Sequence, residues 1–221
     1  MVSGIIAAAG KGRRMGAQIN KVLLELNGKA LIEYTIEAFE KCVDIDEIIL
    51  VISKEDEESF KEILKRHPNV KVAFGGDTRK DSVLNGLEAA CGDYAAIHDG
   101  ARSLIEPALI SKVIEDAKRF GAATLGVRAK DTIKIIGMDG IIKSTTDREY
   151  TYQTQTPQVF ERKFIMSAHK KNDYAATDDA SLAELCGQAV KMTDGSYENI
   201  KITTPEDLIL ADGILKRRNE R

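Results

Sequence analysis

Apolar residues in the first 130 positions follow two alternating patterns. Short runs rich in isoleucine, valine and alanine occur at residues 4–9, 48–52, 70–74, 94–97 and 122–127. Between most of them, apolar residues recur every three or four positions, as in one-sided amphipathic helices, at 31–42, 55–66, 79–91 and 106–120. Strands apolar on both faces that alternate with helices predict a three-layer, Rossmann-like α/β fold, with a mostly parallel central sheet and helices on both faces.

The alternation changes after Val127. Residues 131–136 and 141–143 are strand-like and flank Gly137-Met138-Asp139-Gly140, which predicts a β-hairpin. We therefore expect a single domain over residues 1–221 with a protruding β-arm at about 130–155. A two-stranded arm is marginally stable alone, which favours packing against a second subunit in a homodimer. The alternative is a hairpin folded back on its own domain.

Composition narrows the class of protein. The chain has 221 residues, 43% of them hydrophobic, and a net charge of -3, which suits one sizeable core and does not suggest a nucleic-acid partner. Its three cysteines show no C-x-x-C spacing, so neither zinc nor a disulfide framework is indicated. The apolar run at residues 5–9 is too short to span a membrane. We expect a cytoplasmic protein with no membrane partner.

The first apolar run leads directly into glycines and cations. Residues 4–16 read Gly-Ile-Ile-Ala-Ala-Ala-Gly-Lys-Gly-Arg-Arg-Met-Gly, and Lys21 follows. Glycine lets backbone N–H groups approach phosphate oxygens, and the cations supply the charge that phosphoryl chemistry requires. The spacing matches neither the dinucleotide-binding motif nor the P-loop. It predicts a different triphosphate-binding loop, beyond the carboxyl end of the first strand.

A second glycine-rich loop, Gly75-Gly76-Asp77-Thr78, follows the third predicted strand. Asp77 and Ser82 offer an acceptor and a hydroxyl suited to the polar edge of a base. The same residues also suit a simple helix start, with Asp77 or Thr78 as the N-cap. Capping and binding are compatible.

The run His98-Asp99-Gly100-Ala101-Arg102 follows the fourth predicted strand. A carboxylate at the carboxyl end of a central parallel strand is well placed to hold Mg²⁺ against phosphate oxygens, which favours Asp99 as a metal ligand. The alternative is an ion pair between Asp99 and Arg102. We assign His98 no catalytic role, since a lone histidine is more often packed and hydrogen-bonded.

The last polar cluster is divided between residues 177–181 and 195–203. Thr177 and Asp178 read first as the start of a helix, which does not exclude binding. Lys201 lies in the strand-like run Asn199 to Thr203, where a buried lysine needs an anionic partner. A bound phosphate would provide that partner, although an exposed edge strand would also tolerate the lysine.

Taken in order along the whole chain, these motifs resemble the 2-C-methyl-D-erythritol 4-phosphate cytidylyltransferase family of the non-mevalonate isoprenoid pathway. The resemblance rests on residues 8–15, Lys21, residues 75–83, residues 98–102, Asp131-Thr132, residues 155–158, residues 177–181 and residues 199–201. It implies a nucleotidyltransferase fold, transfer of CMP from CTP to a polyol phosphate with release of pyrophosphate, a Mg²⁺ requirement and dimerisation through the β-arm. The attacking group is then an ionised phosphate, so no strong general base is needed.

The resemblance also implies roles for individual residues. Arg14, Lys21 and Lys201 would be the catalytic cations, and Asp99 would hold Mg²⁺. Nucleotide contacts would come from Ala8, Ala9, Gly10, Lys11, Gly12, Gly76, Asp77, Ser82, Asp99 and Ala101. The polyol phosphate would contact Arg102, Thr132, Arg148, Thr156 and Thr177, with Arg148 reaching it from its own subunit or from the partner.

Two positions depart from the family pattern. Asn20 and Ser103 stand where the family usually has prolines that stiffen loops. Two other functions are compatible with much of the pattern. One is transfer to ribitol 5-phosphate by a sister cytidylyltransferase, and the other is nucleotide-dependent regulation without transfer.

Overall fold

The computed structural model describes residues 1–10, 20–171 and 176–220. The strands are β1 (Val2–Ala7), β2 (Glu25–Leu26), β3 (Lys29–Ala30), β4 (Glu47–Ile52), β5 (Val70–Phe74), β6 (Tyr94–Asp99), β7 (Ala122–Arg128), β8 (Lys134–Ile136), β9 (Ile142–Thr145), β10 (Tyr152–Glu161) and β11 (Lys191–Asp194). The helices are α1 (Leu31–Glu40), α2 (Glu57–Arg66), α3 (Arg79–Ala89), α4 (Pro107–Phe120), α5 (Arg162–Lys171), α6 (Asp179–Leu185) and α7 (Pro205–Asn219). Short 3₁₀ turns occur at Lys21–Leu23, Lys54–Asp56 and Arg148–Tyr150.

A seven-stranded sheet forms the centre of the molecule, in the order β11-β7-β10-β6-β1-β4-β5. Strand β1 pairs in parallel with β4 and β6, and the outer pairs β4–β5 and β7–β11 are also parallel. Strand β10 runs antiparallel to both of its neighbours, β6 and β7. The predicted mostly parallel sheet is therefore confirmed, with one antiparallel strand inserted between two parallel ones.

Alternation along the buried strands creates the two faces of the sheet. In β4, Ile48, Leu50 and Ile52 belong to a core shared with α1, α2 and α4, whereas Ile49 and Val51 belong to a core shared with α3, α5 and α6. Because successive side chains of a strand point to opposite faces, a strand apolar at every position needs helices on both sides. The predicted three-layer α/β architecture is confirmed.

Helix α7 packs on a third, smaller cluster. Ala211 and Ile214 contact Leu26, Leu104 and Ile202 there. In the described part of the chain, no helix is long and apolar enough to cross a bilayer. Because Leu104 lies in the segment that follows β6, helix α7 covers one side of that segment.

The region after β7 differs in part from the prediction. Strands β8 and β9 form a separate two-stranded antiparallel sheet, with exposed isoleucines on both strands. Strand β10, in contrast, lies in the central sheet from Tyr152 onwards. Strands β8 and β9 thus form the hairpin predicted around Gly137 to Gly140, over residues 134–145. The predicted end of the arm at about residue 155 is too late, because the chain has joined the central sheet by Tyr152.

Candidate active site

The carboxyl ends of the parallel strands open into a cavity of about 800 Å³. Its walls come from the segments that follow β1, β4, β5 and β6, which are neighbours in the sheet. Most of the nucleotide-binding and catalytic residues predicted from the sequence line this cavity: Ala8, Ala9, Gly10, Lys21, Gly76, Asp77, Ser82, Asp99, Ala101 and Lys201. Lys11, Gly12 and Arg14 lie outside the described residues.

The loop after β5 is held close to the loop after β1. A Cβ atom on Gly75 would lie 2.6 Å from Ala9 Cβ and 2.7 Å from Ser82 Oγ, so a larger residue there would separate the two loops. The Ser82 hydroxyl accepts a hydrogen bond from the Gly76 backbone N–H at 3.2 Å and donates one to the Thr78 carbonyl at 2.9 Å. Ser82 therefore shapes this wall and offers its remaining lone pair as an acceptor.

Helix α3 begins at this wall. Thr78 is the N-cap, and its hydroxyl accepts from the Asp81 backbone N–H while the Asp81 carboxylate accepts from the Thr78 backbone N–H. The predicted cap at Asp77 or Thr78 is thus confirmed at Thr78. Asp77 is exposed on the cavity wall.

Asp99 lies at the end of β6 and is surrounded by three cations. Lys201 Nζ is 2.7 Å from Oδ2, Arg79 lies 3.7 Å from Oδ1, and Arg102 Nε is 3.9 Å from Oδ2. Burial alone raises the pKa of Asp99, but the charges of Lys201 and Arg79 outweigh it and hold that pKa at about 2. Asp99 is therefore ionised throughout the neutral range. The ion pair with Arg102, one of the two alternatives from the sequence, is present, and the role of Asp99 as a metal ligand stays a prediction.

Lys201 reaches this carboxylate from an irregular segment. The strand predicted at 199–203 is wrong, because the sheet strand in this region is β11, and Lys201 follows it in a loop with a side chain 40% exposed. The Ile202 backbone N–H donates to the Ala101 carbonyl at 2.8 Å, which fixes the segment beside the loop after β6. The anionic partner expected for Lys201 is Asp99.

A chain of hydrogen bonds runs beneath Asp99. The Asp99 backbone N–H donates to Thr156 Oγ1 at 3.1 Å, Thr156 Oγ1 lies 3.0 Å from His98 Nδ1, and His98 Nε2 lies 3.2 Å from the Arg102 carbonyl. Burial lowers the pKa of His98 to about 4, so the ring is neutral at physiological pH. The carbonyl can only accept, so Nε2 carries the proton and the threonine hydroxyl donates to Nδ1. His98 is thus packed and hydrogen-bonded, as expected.

The guanidinium of Arg102, predicted as a substrate ligand, is hydrogen-bonded to backbone carbonyls of the protein. It donates to the Asn199 carbonyl at 2.9 Å and to the Thr154 carbonyl at 3.3 Å. Burial lowers the pKa of Arg102, although an arginine still carries its charge. In this arrangement Arg102 joins the loop after β6 to β10 and to the segment that carries Lys201.

Two other predicted substrate ligands lie on the arm. Arg148 donates to Thr132 Oγ1 at 2.9 Å, and both residues are exposed. They are not among the described residues that line the cavity of the same chain. Thr177 is exposed just before α6, where its backbone N–H donates to Ser181 Oγ at 3.1 Å. The structure therefore brings the described nucleotide residues together. The five predicted polyol-phosphate ligands, which also include Arg102 and Thr156, are not among the described residues that line the cavity.

Several residues that line the cavity were not predicted from the sequence. Arg79 connects two carboxylates, since it lies 2.8 Å from Asp179 as well as 3.7 Å from Asp99. Ser53 and Lys54 follow β4 and form another wall. The signal that could have found Ser53 and Lys54 is topological, because β4 is a neighbour of β1 and its carboxyl end opens at the same edge.

The two departures from the family pattern differ in their surroundings. Asn20 is buried at the rim of the cavity and its side chain is fully hydrogen-bonded. Ser103 is also buried, and its hydroxyl has no hydrogen-bond partner among the described residues. The structure offers no account of Ser103.

A cavity at the carboxyl edge of a mostly parallel sheet, lined by glycine-rich backbone, lysines and carboxylates, is characteristic of nucleotide-binding α/β proteins. The profile of the family described as IspD, 2-C-methyl-D-erythritol 4-phosphate cytidylyltransferase, matches residues 2–217. The chain therefore belongs to this family of nucleotidyltransferase enzymes, and the resemblance drawn from its motifs is confirmed.

Individual relatives agree with this assignment. The 2-C-methyl-D-erythritol 4-phosphate cytidylyltransferase of Clostridioides difficile (strain 630) is 46% identical over 231 residues, covering 100% of this chain and 97% of the relative. The enzyme of the same name from Desulforamulus reducens is 43% identical over 227 residues, covering 99% and 97%. A crystal structure of 4-diphosphocytidyl-2C-methyl-D-erythritol synthase from Anaerococcus prevotii superposes with a TM-score of 0.89 at 37% identity, covering 97% of this chain and 96% of that one.

Proposed function

We propose that this chain transfers CMP from CTP to 2-C-methyl-D-erythritol 4-phosphate, giving 4-diphosphocytidyl-2-C-methyl-D-erythritol and pyrophosphate in isoprenoid precursor biosynthesis. The observation that carries the proposal is the cavity itself. It places the backbone after β1, the polar loop after β5, and the pair Asp99–Lys201 around one space in a member of this family. We assign these three parts to the triphosphate, the base and the reacting phosphate, respectively.

Catalysis in this cavity is positioning plus charge stabilisation. The methylerythritol phosphate attacks the α-phosphorus of CTP through its own ionised oxygen, and pyrophosphate leaves. Lys21 and Lys201 stabilise the negative charge of the five-coordinate α-phosphate, and Arg14 is proposed to hold the triphosphate with them. Asp99 keeps Lys201 oriented before the substrates bind, since their ion pair is 2.7 Å long.

No protein group has to remove a proton. His98 is buried and neutral, and both of its ring nitrogens face protein hydrogen-bond partners. The nucleophilic phosphate is already ionised at neutral pH, so the reaction requires no general base. We therefore propose that His98 and Thr156 hold Asp99 and the loop after β6 in place rather than transfer protons. The proposed contact of Thr156 would be with a hydroxyl group of the polyol, which can donate to the second lone pair of the threonine oxygen, because an ionised phosphate oxygen can only accept.

The wall after β5 suits cytosine. The Ser82 hydroxyl proton is donated to Thr78, so Ser82 presents an acceptor to the cavity. Asp77 adds a second acceptor on the same wall. The 4-amino group of cytosine is a donor, whereas uracil carries a carbonyl at that position, so two acceptors favour CTP over UTP.

We also propose that the enzyme uses Mg²⁺. The described residues contain no group of three or more histidine, cysteine or acidic side chains able to enclose a metal ion. Mg²⁺ is usually bound by one or two carboxylates together with substrate phosphates, so the ionised carboxylate of Asp99 on the cavity wall suits it. Asp99 would hold the ion, which would neutralise phosphate charge when CTP is bound.

The arm provides the proposed dimer contact. Ile135, Ile136, Ile141 and Ile142 are 48%, 60%, 66% and 58% exposed. An apolar two-stranded hairpin is unstable in water unless another surface covers it, and a second copy of the chain would do so. Arg148 and Thr132 lie on this arm and outside the cavity of their own chain, so we propose that they contact the polyol phosphate in the cavity of the partner.

Mixing two inactive variants tests this arrangement. Arg148→Ala removes the arm contact, and Lys201→Ala removes the cavity cation. If Arg148 acts in the partner cavity, heterodimers contain one intact site, and an equilibrated mixture should recover about a quarter of the activity of the unaltered enzyme. Recovery of no activity, or a monomeric protein by light scattering, would contradict the proposed dimer site.

A cytoplasmic location completes the proposal. It rests on the composition of the chain, whose three cysteines lack C-x-x-C spacing, and on β1, whose apolar run is buried in the central sheet. Fractionation of cells that produce the protein would test it, and recovery with the membranes would contradict it.

Pyrophosphate release is the decisive assay of activity. The purified chain should release pyrophosphate from CTP with 2-C-methyl-D-erythritol 4-phosphate and Mg²⁺, and much less with UTP or with ribitol 5-phosphate. A preference for ribitol 5-phosphate would identify the sister cytidylyltransferase activity. Binding of CTP without any release of pyrophosphate would identify a regulator.

A further inference from the structure

Asn20 links two walls of the cavity, namely the segment after β1 and the turn after β4. Its side-chain Nδ2 donates to the Ala8 carbonyl at 2.7 Å and to Asp56 Oδ2 at 2.9 Å. Its Oδ1 accepts from the Val22 backbone N–H at 3.3 Å, which caps the 3₁₀ turn that begins at Lys21. The residue is 4% exposed.

These three bonds use both N–H donors of the amide and one of the two lone pairs of its oxygen. A primary amide has two N–H donors and one oxygen, and each has a partner here. The two donors face oxygen atoms and the oxygen faces an N–H, so the orientation of the amide is determined by its surroundings. A buried and satisfied amide of this kind resists rotation because any other orientation leaves polar groups unpaired.

The partners of Asn20 belong to different walls of the cavity. Ala8 follows β1, and Asp56 ends the 3₁₀ turn after β4. That second turn is itself capped, since the Ser53 hydroxyl accepts from the Asp56 backbone N–H at 3.3 Å. One side chain thus fixes the turn of Lys21 against both the β1 wall and the β4 wall.

We propose that Asn20 is a positioning residue for Lys21, which sets the place of the Lys21 side chain by tying its turn to Ala8 and Asp56. This inference rests on the proposed catalytic role of Lys21. The peptide link makes the coupling direct, because Lys21 is the next residue and begins the capped turn. A small rotation of residue 20 would displace an ammonium group at the end of a four-carbon side chain.

Two substitutions separate the tether from the cap. Asn20→Ala removes all three side-chain bonds. Asn20→Asp keeps an oxygen for the Val22 N–H but replaces both donors, and places a carboxylate beside Asp56. We expect each variant to lose about 10- to 100-fold in kcat/KM for CTP, measured by pyrophosphate release, with the loss mainly in kcat. Glu57→Ala is the matched control, since Glu57 directly follows Asp56 in the sequence and its side chain is exposed.

An exchange of the two side chains provides the rescue. Asn20→Asp combined with Asp56→Asn restores an amide-to-carboxylate bond between residues 20 and 56 with its direction reversed. We expect this double variant to recover at least threefold in kcat/KM over Asn20→Asp alone, with a melting temperature no lower than that of Asn20→Asp, although the Ala8 carbonyl still lacks its donor. Activity of Asn20→Ala within twofold of the unaltered enzyme would overturn the proposal. So would full activity of Asn20→Asp, because capping alone would then be sufficient.

A second background distinguishes this proposal from the role of Lys21. If Asn20 acts through Lys21, adding Asn20→Ala to Lys21→Ala should reduce kcat/KM by less than twofold further. A further loss of tenfold or more would overturn action through Lys21. Full activity of Lys21→Ala alone would instead remove Lys21 from the mechanism, and that result is visible before any Asn20 variant is made.

Discussion

Replacing Lys201 with alanine tests the charge-stabilisation mechanism most directly. The ammonium lies 2.7 Å from Asp99 Oδ2 on the cavity wall and is proposed to stabilise the five-coordinate α-phosphate. Removing one such donor typically costs 10²- to 10³-fold in kcat, or ~3 to 4 kcal/mol. We expect Lys201→Ala to lose turnover on that order.

The effect on stability should be much smaller. Lys201 is 40% exposed, so its ion pair contributes roughly 1 kcal/mol or less after solvent screening. Asp99 is not left unpaired, because Arg79 and Arg102 remain within 3.7 and 3.9 Å of its oxygens. A change of about 1 kcal/mol corresponds to a shift of ~2–4 °C in melting temperature for a chain of this size.

Steady-state pyrophosphate release and thermal unfolding together decide the question. Lys216→Ala is the matched control, because Lys216 forms an exposed pair with Asp212 at 2.6 Å on α7. It should retain full activity, and Lys201→Arg should fall between the two alanine variants. Activity of Lys201→Ala within tenfold of the unaltered enzyme would refute the role of Lys201. A loss of stability above about 3 kcal/mol would refute the claim that the neighbouring arginines compensate Asp99.

Two further predictions concern stability. Thr156→Val leaves the Asp99 backbone N–H and His98 Nδ1 without partners. It should therefore lower the free energy of unfolding, measured in urea, by about 1–3 kcal/mol, and Thr156→Ser should restore it. Equal stability of the valine variant would contradict the hydrogen-bond chain. Burial alone raises the pKa of Glu47, but hydrogen bonds from Lys71 and other donors outweigh it and lower that pKa from 4.5 to about 2. This carboxylate therefore stabilises the fold above about pH 4.5 and loses that contribution as the pH falls towards 2, so Glu47→Gln should cost about 1–3 kcal/mol at pH 7 and flatten the acid dependence between those values. An unchanged acid dependence in urea titrations would contradict this assignment.

Elements with a strong local pattern were predictable. Strand β5 begins and ends where the apolar run at 70–74 does, and α4 differs from the predicted 106–120 by one residue at its start. Both depend on local causes, namely the periodicity of buried side chains and, for α4, Pro107 in the first turn and Gly121 at the end.

Strand β10 was not predictable in the same way. Its sequence from Tyr152 to Pro157 is mostly polar and contains a proline, which argues against a central strand. The structure accommodates it through a register shift against β7 between Thr154 and Gln158. Insertion between β6 and β7 is a long-range event, so the polar pattern of residues 152–157 reflects contacts such as that of Thr156 with His98.

For the segment around Lys201 the pattern predicted a strand that the structure does not contain. Asn199-Ile200-Lys201-Ile202 alternates as a strand does, but no strand forms there. Ile202 satisfies the pattern by packing in the cluster under α7, and its backbone N–H pairs with Ala101. Alternation reports which side chains are buried, and it does not say whether the backbone pairs with a sheet.

The α/β class, the glycine and cation content of the segment after β1, and the family all follow from the sequence alone. These depend on residue type and on spacing along the chain, which a one-dimensional pattern contains. The charged cluster of Arg79, Asp99 and Lys201, and the hydrogen bonds that hold Arg102 within the protein, became evident only in three dimensions. So did the hydrogen bonds from Asn20 to Ala8 and Asp56, because such contacts join residues far apart in sequence that meet only when the parallel strands align their carboxyl ends.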